Sequence, residues 1–354
     1  MVVAFRYVGR ELVLVFVVTF ATLLVVALGG RFIGYLQDAA LGRYSADALL
    51  TLISLRLPEF VQMTMPFAFF VAVLLTWGRL HAEREFAVLL GGGARPRRML
   101  GWLGAVALPV GAVVGYLSLA VTPGAAKAFA DLATAQRVSS EFEAITPGTF
   151  HDFDRARRVT YAREVSPDRQ RLVDVFTDER QGGGGHVAVW AEAGSHYVAA
   201  DTGSRFLVLE NGTRYEGAPG LGGFRVVAFE RLGQRVERSP LTRTRIDPRT
   251  VPTTELPGGN PERVAELHWR LALPLVTVIG AFCAFGMARV RPRAGRFARI
   301  VPGVVLFAAY YLGCVALQSA IADGLLPPAI GLWPMHLLMA LAAVPLVRRA
   351  YRPL

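Results

Sequence analysis

The chain has 354 residues, of which 53% are apolar and 18% are charged, and its mean hydropathy is +0.40. This composition is typical of a membrane protein and excludes an ordinary soluble domain. The net charge of +11 also suits nucleic-acid binding, but residues 127–270 carry 20 basic and 20 acidic side chains. The whole excess therefore lies in the two apolar thirds, which indicates membrane orientation and excludes a phosphate-reading surface.

Six runs with little or no charge are long enough to cross a bilayer, which takes about 20 helical residues. The first follows Arg6 and Arg10 as a signal peptide would, but its 19 uncharged residues exceed a signal core of about 7 to 15. We therefore predict six membrane-spanning helices, with Cys283 and Cys314 as small buried residues. The runs are 12–30, 60–78, 99–126, 271–288, 300–322 and 324–347.

The arginines of the short connecting segments are distributed unevenly. The segments before the first run, between the second and third, between the fourth and fifth, and after the sixth carry 15 arginines, whereas the other two carry three, Arg31, Arg43 and Arg56. Positive charge accumulates on the cytoplasmic side of a membrane. This asymmetry predicts that both termini are cytoplasmic and that residues 127–270 are periplasmic.

Between the third and fourth runs, the sequence changes to short segments that alternate apolar and polar residues. Alternation is typical of half-buried strands, and at least seven such segments predict an inserted all-β domain at 127–262, an antiparallel sandwich or a jelly roll. Asn211 and Gly212 are predicted to form a tight hairpin turn. Asn260 before Pro261 predicts the start of a helix. Segments 1–126 and 263–354 then supply three spanning helices each.

The patterns of common catalytic sites are missing from the sequence. The single lysine, Lys127, does not follow a glycine, which excludes a phosphate-binding loop of the G-x-x-x-x-G-K-[ST] type. The six histidines lack the spacing of a zinc site, and the G-x-S-x-G pattern of serine hydrolases is absent. We therefore expect a chain that is not an enzyme and that binds no metal or cofactor itself.

Several short motifs lie at 57–59, 78–93, 209–217, 265–270 and 291–296. Their order and spacing resemble those of the LptF/LptG permeases of the lipopolysaccharide export system, with greater similarity to the LptF branch. The resemblance covers nearly the whole chain and implies a permease that extracts lipopolysaccharide from the inner membrane and passes it to a periplasmic β bridge.

The resemblance also implies partners. These are an LptG-like homologous permease, an LptB-like ATPase dimer that binds the ATP, and an LptC-like periplasmic β protein. Two alternatives remain open. One is a membrane scaffold that transports nothing, and the other is a subunit of a different type of ATP-driven exporter or mechanotransmitter.

The first inner loop, residues 79–98, is predicted to contain a short helix with acidic residues before apolar ones. By resemblance, this is the coupling helix that docks on the ATPase, with Glu83, Glu85, Phe86 and Leu89 as its contact residues. The alternative is a solvated interfacial helix whose glutamates offset nearby arginines.

Charged residues at the outer ends of the spans are candidates for contact with lipid head groups. Arg31 either binds a lipid phosphate or extends to the interface as an anchor. Glu59, after Pro58, is predicted to lie in the first turn of a helix, where it caps the helix dipole or acts at a lipid gate. Trp269 and Arg270 are interpreted as an interfacial anchor.

Apolar positions supply the remaining candidates. Val175, Val189 and Phe206 are predicted to face inwards in the β domain, either as an acyl-chain conduit or as an ordinary core. Gly111 and Gly115 form a G-x-x-x-G pattern in the third span, which suits close packing against a partner span.

Overall fold

The structure, a computed structural model, describes residues 2–40, 46–143, 147–153, 158–166, 171–180, 185–198, 205–217, 223, 225–235, 247–289 and 299–350. The chain divides into two compact units. The helical unit comprises Met1–Gln37, Leu49–Leu132 and Ile246–Leu354, and the β unit comprises Asp38–Ala48 and Ala133–Arg245. The predicted motif at 291–296 lies outside the described residues, as does Arg43.

The described part of the chain contains six helical stretches that are long and apolar enough to cross a membrane. This confirms the predicted helical membrane protein with an inserted β domain. A π-helical turn, Leu117–Val121, joins α4 to α5 in the third stretch. The helices are α1 (Val2–Ala40), α2 (Ala46–Ala82), α3 (Glu85–Gly91), α4 (Pro96–Tyr116), α5 (Thr122–Glu143), α6 (Pro261–Met287), α7 (Ile300–Ala322) and α8 (Trp333–Ala350).

The second helix begins well before its apolar run. It starts at Ala46, and both Pro58 and Pro66 lie inside it. Internal prolines are tolerated in membrane helices because neighbouring helices and side chains satisfy the freed carbonyls. The prediction that Glu59 occupies a first turn is therefore wrong, because the helix continues through Pro58.

Helix α6 lies at the centre of the helical unit and contacts α4, α7 and α8. Its contact with α4 depends on the two glycines of the G-x-x-x-G pattern. A Cβ atom at Gly111 would lie 2.9 Å from Val278 Cγ2, and one at Gly115 would lie 3.6 Å from Pro274. The two glycines therefore permit the close helix packing that the pattern suits, and the span they pack against is α6 of the same chain.

Polar groups inside the bundle are few and several are paired. The Tyr310 hydroxyl on α7 lies 2.7 Å from His336 Nδ1 on α8, and both residues are buried. A polar side chain in an apolar bundle is stabilised by such an interhelical hydrogen bond. Cys283 and Cys314 are buried free thiols, as predicted.

The β unit contains a six-stranded antiparallel sheet in which the strands pair in chain order. The antiparallel β domain is thus confirmed, as a meander with β1 and β6 at its edges. Four of the predicted short strands merge into two long ones, β4 and β5. The strands are β1 (Phe150–Phe153), β2 (Arg158–Val165), β3 (Arg171–Arg180), β4 (His186–Val198), β5 (Arg205–Gly217) and β6 (Arg225–Arg235).

Asn211 and Gly212 lie inside β5 and do not form a hairpin turn, so that prediction is wrong. Asn211 has a φ of 51°, but Gly212 is paired with strands on both sides. Asp174 in β3 also has a positive φ, 55°, and the register places both residues opposite Glu192 of β4. Asp174 and Asn211 therefore bend β3 and β5 at the same level of the sheet, and both strands continue beyond the bend.

These bends shift the alternation of side chains. Leu172 and Val175 are three residues apart, so strict alternation would place them on opposite faces, yet both are buried. The same shift brings Ala191 and Gly194 of β4 to one face. The result is a continuous apolar cluster on both sides of the bend line, formed by Ala162, Leu172, Val175, Val187, Val189, Ala191, Leu207 and Leu209.

Candidate functional sites at the two ends of the helical unit

Two clusters of charged side chains lie at opposite ends of the helical unit. At one end, Tyr7 of α1 donates a 3.0 Å hydrogen bond to Glu85 at the start of α3, and Arg289 after α6 donates to the carbonyl of Arg349 in α8. We call this the Arg79 end, because Arg79 pairs with Glu85 there. The start of α6 and the end of the π-helical turn lie at the other end, which we call the Arg270 end.

The Arg79 cluster consists of Arg79, Tyr7, Glu11, Glu83 and Glu85. Arg79 Nη1 lies 2.8 Å from Glu83 Oε2 and 3.0 Å from Glu85 Oε1, and Nε lies 3.2 Å from Glu11 Oε1. Nη2 donates to the Tyr7 hydroxyl at 3.0 Å. The cluster fixes the start of α1 to the loop between α2 and α3, so Glu85 is held by this chain's own tyrosine and arginine.

Helix α3 presents a different apolar face from the predicted one. Phe86 is buried, stacked on His81 with ring centroids 4.2 Å apart, and Leu89 packs against the core of the helical unit. Val88 is 73% exposed and Leu90 is 37% exposed. The sequence could not separate the two faces, because a seven-residue helix is too short for its periodicity to show which face is inward.

Arg31 and Glu59 lie at the Arg270 end but in different surroundings. Arg31 is exposed near the end of the first spanning stretch. Glu59 is paired with Arg56 one turn away, and its other carboxylate oxygen lies 3.9 Å from Arg249. Glu59 therefore contacts the segment that leads into α6, while Arg31 is the more accessible of the two charges.

Arg270 is the most completely bonded charge described in the structure. Its Nε donates to Glu266 at 2.9 Å, Nη1 donates to the Val251 carbonyl at 3.1 Å and to Thr253 Oγ1 at 2.8 Å. Nη2 donates at 3.1 Å to the carbonyls of Pro248 and Arg249, which completes the use of all five N–H bonds that a guanidinium has. We call this set the Arg270 network.

The network also reaches the third spanning stretch. Thr253, which accepts from Arg270, donates its own hydroxyl hydrogen to the Leu119 carbonyl at 2.6 Å. Leu119 lies in the π-helical turn, where altered pairing of the backbone leaves carbonyls in need of another donor. One arginine therefore connects α6, the segment 248–253 and the junction between α4 and α5.

The interpretation of Arg270 as an interfacial anchor is wrong, because the residue is 2% exposed. A buried charge is tolerated only when it is paired and hydrogen-bonded, and here the segment 248–253 supplies most of the acceptors. The spacing of Glu266 and Arg270, one helical turn apart, was the only sequence signal for this site. Asn260 caps α6 as predicted, with its side chain accepting from the Arg263 backbone N–H at 3.1 Å.

In the β unit, two of the three predicted inward positions are described at side-chain level. Val175 and Val189 are 0% and 1% exposed and belong to the apolar cluster. The side chain of Phe206 lies outside the described part, and its neighbours Leu207 and Leu209 are the buried residues of that segment of β5.

One protein family matches nearly the whole chain. Residues 6–349 match the family described as "Lipopolysaccharide export system permease LptF/LptG". Similar curated proteins, each named "Lipopolysaccharide export system permease protein LptF", come from Escherichia coli K12, Escherichia coli O157:H7 and Shigella flexneri. Each is 25% identical over 346 residues, which covers 96% of this chain and 93% of the relative.

Replacement of Arg270 tests whether the network needs a guanidinium. Arg270→Lys keeps the charge but has three donors where five are used, so carbonyls of the segment 248–251 lose their partners. Breaking a buried pair costs about 3–5 kcal/mol. We expect both Arg270→Lys and Arg270→Gln to lower the apparent unfolding temperature of the purified chain, with Arg263→Lys on the same helix as an unaffected control. A wild-type unfolding temperature for Arg270→Lys would contradict the assignment.

Proposed function

The chain belongs to the lipopolysaccharide export permease family LptF/LptG, and on that premise we propose that it is the LptF-type subunit of an ATP-driven exporter. In this function it extracts lipopolysaccharide from the inner membrane and passes it to a periplasmic β bridge. The observation that carries the proposal is the whole-length family match on a chain that has a β sheet inserted between its third and fourth spanning helices. A permease of this family is a transport subunit and not itself an enzyme.

The proposed orientation puts the Arg79 end in the cytoplasm and the Arg270 end in the periplasm. This orientation is supported by the many arginines that lie at the Arg79 end, since positive charge is retained on the cytoplasmic side of a membrane. The proposed domains are then 1–126 and 263–354 in the membrane, with the cytoplasmic loop 79–98, and 127–262 in the periplasm. The described arginines of the Arg79 end are Arg6, Arg10, Arg79, Arg84, Arg95, Arg97, Arg98, Arg289, Arg299, Arg348 and Arg349.

We propose that α3 is the contact with a separate LptB-like ATPase dimer, which binds the ATP. Val88 and Leu90 are exposed and form the apolar part of the contact, as in other helix-in-groove interfaces. Glu85 and Glu83 fix the direction of α3 through Arg79. Phe86 and Leu89 hold the helix on the bundle, so movement of α3 is passed directly to α1 and α2.

We propose that Arg31 binds a lipopolysaccharide phosphate at the outer surface of the membrane. Arg31 is exposed. A guanidinium group can donate two parallel hydrogen bonds to the oxygens of one phosphate. Glu59 acts differently, because its carboxylate pairs with Arg249 and Arg56. We place Glu59 at the junction between the spans and the segment that enters α6, close to the predicted lipid gate.

We propose that the apolar cluster of the β unit accepts the acyl chains. The edge strand β6 carries exposed Val226 and Val227 and has strand β5 as its described partner. Unpaired N–H and C=O groups at a sheet edge favour addition of another strand. The partners in this proposal are an LptC-like periplasmic β protein at the sheet edge and an LptG-like permease beside the spans.

The contact with the ATPase is tested by two substitutions in α3. Val88→Asp puts a charge into the apolar contact, and we expect at least a tenfold loss of ATPase co-purification, equivalent to about 1.4 kcal/mol. Glu85→Ala frees Tyr7 and Arg79, and we expect a lower transport-coupled rate of ATP hydrolysis with normal membrane insertion.

Leu325→Asp is the matched control, because Leu325 is 77% exposed at the opposite end. The ATPase is cytoplasmic, so the same experiment tests the orientation. Normal co-purification with Val88→Asp would contradict the coupling role of α3. An ATPase whose binding and activity do not depend on this chain at all would favour the non-transporting scaffold.

The conduit is tested with a photo-crosslinking residue in the β unit. At Val175, Val189 or Leu209, which are buried in the apolar cluster, we expect ATP-dependent capture of lipopolysaccharide by the assembled exporter. Trp190 is the matched control, because it follows Val189 in the same strand and is 43% exposed. Equal capture at Val189 and Trp190, or capture that does not depend on ATP, would assign the apolar cluster to an ordinary core.

A further inference from the structure

A groove between α4, α6 and α8 lies at the Arg79 end of the helical unit, away from the proposed route of lipopolysaccharide. Its volume is about 370 Å³, within the range of roughly 300–1,000 Å³ that is common for ligand sites. Seven of the eight residues that line it are apolar. They are Leu100, Ile279, Phe282, Ala340, Ala343, Val344 and Val347, and the eighth is Arg348.

The groove is built by helices that approach closely without filling the space between them. A Cβ atom at Gly104 of α4 would lie 4.0 Å from the Phe282 ring, so this face of α4 presents little side-chain volume towards α6. Near the end of α6, a Cβ atom at Gly286 would lie 2.7 Å from the backbone of Leu346 in α8. The contact at Gly286 fixes the two walls, and the small residues Ala340 and Ala343 leave the space open.

The charge at the mouth of the groove is positive. Arg348 lines the groove, and Arg97 lies three residues before Leu100 on α4, which places it on the same helix face one turn nearer the mouth. Both arginines are exposed. Arg289 adds a third positive charge at this end, where it is hydrogen-bonded to the Arg349 carbonyl. Within the described residues, no carboxylate forms an ion pair with Arg348 or Arg97.

We propose that this groove binds an anionic phospholipid, with one acyl chain along the apolar wall and the head-group phosphate at Arg348 and Arg97. Basic pockets between spanning helices at the cytoplasmic side suit anionic head groups, and guanidinium groups pair with phosphate oxygens in two parallel hydrogen bonds. A zwitterionic lipid fits less well, because its ammonium group would lie against two arginines. The head-group argument uses the proposed cytoplasmic orientation of the Arg79 end, but the site itself does not depend on transport of lipopolysaccharide.

The proposal is tested with the full chain in vesicles that contain equal amounts of phosphatidylglycerol and phosphatidylcholine. A photo-crosslinking residue at Val344 is used in the groove, and the control position is Leu341, which is 61% exposed on the same helix and does not line the groove. Mass spectrometry of the adducts gives the ratio of the two lipids. We expect about fivefold enrichment of phosphatidylglycerol at Val344 and the bulk ratio at Leu341.

Arg348→Gln separates the head-group contact from the apolar groove. With this substitution we expect the Val344 position still to capture lipid, but at a ratio close to that of the bulk. A bulk ratio at Val344 in the wild-type chain would overturn the proposal, as would enrichment that persists in the variant that also carries Arg97→Gln. Neither outcome depends on an ATPase or on lipopolysaccharide.

Discussion

The five N–H bonds of Arg270 set a constraint on which the Arg270 end of the helical unit depends. The side chain is 2% exposed, so each donor needs a partner inside the protein. The acceptors come from Glu266 on the same helix and from the segment 248–253. This segment is therefore held on α6 as part of the helical unit. The residues between the β unit and α6 are therefore fixed to the helical unit, even though they directly follow the β unit in sequence.

This arrangement gives the proposed transport a physical basis. The Arg79 cluster connects α3 to α1 and α2, and the Arg270 network connects α6 to the π-helical turn of the third stretch through Thr253 and Leu119. Between the two, α6 contacts α4 closely at Gly111 and contacts α8 closely at its own Gly286, which leaves little freedom for relative sliding. A displacement of α3 is then expected to move whole helices and so to shift the residues of the Arg270 end. Packed helix interfaces of this kind switch between discrete arrangements and do not deform continuously.

Composition and pattern were sufficient for the spans and the sheet, because a bilayer demands long apolar helices and a half-buried sheet demands alternation. They failed where the partner of a residue is distant in sequence. Arg270 binds carbonyls about twenty residues away, so its burial has no local signal. Asn211 adopts the conformation of a turn residue but stays inside β5, because its neighbours Glu210 and Gly212 are paired with the strands on both sides. Val88 and Phe86 could be distinguished only by the packing of α3.

The central claim is that the Arg270 network holds the segment 248–253 on the helical unit. It is tested most directly by pulsed electron paramagnetic resonance on spin labels at Thr254 and Asp323, both exposed positions of that unit. A fixed segment predicts a single narrow distance distribution in lipid nanodiscs for the wild-type chain and a broad one for Arg270→Gln. A broad distribution in the wild-type chain, or an equally narrow one in the variant, would contradict it.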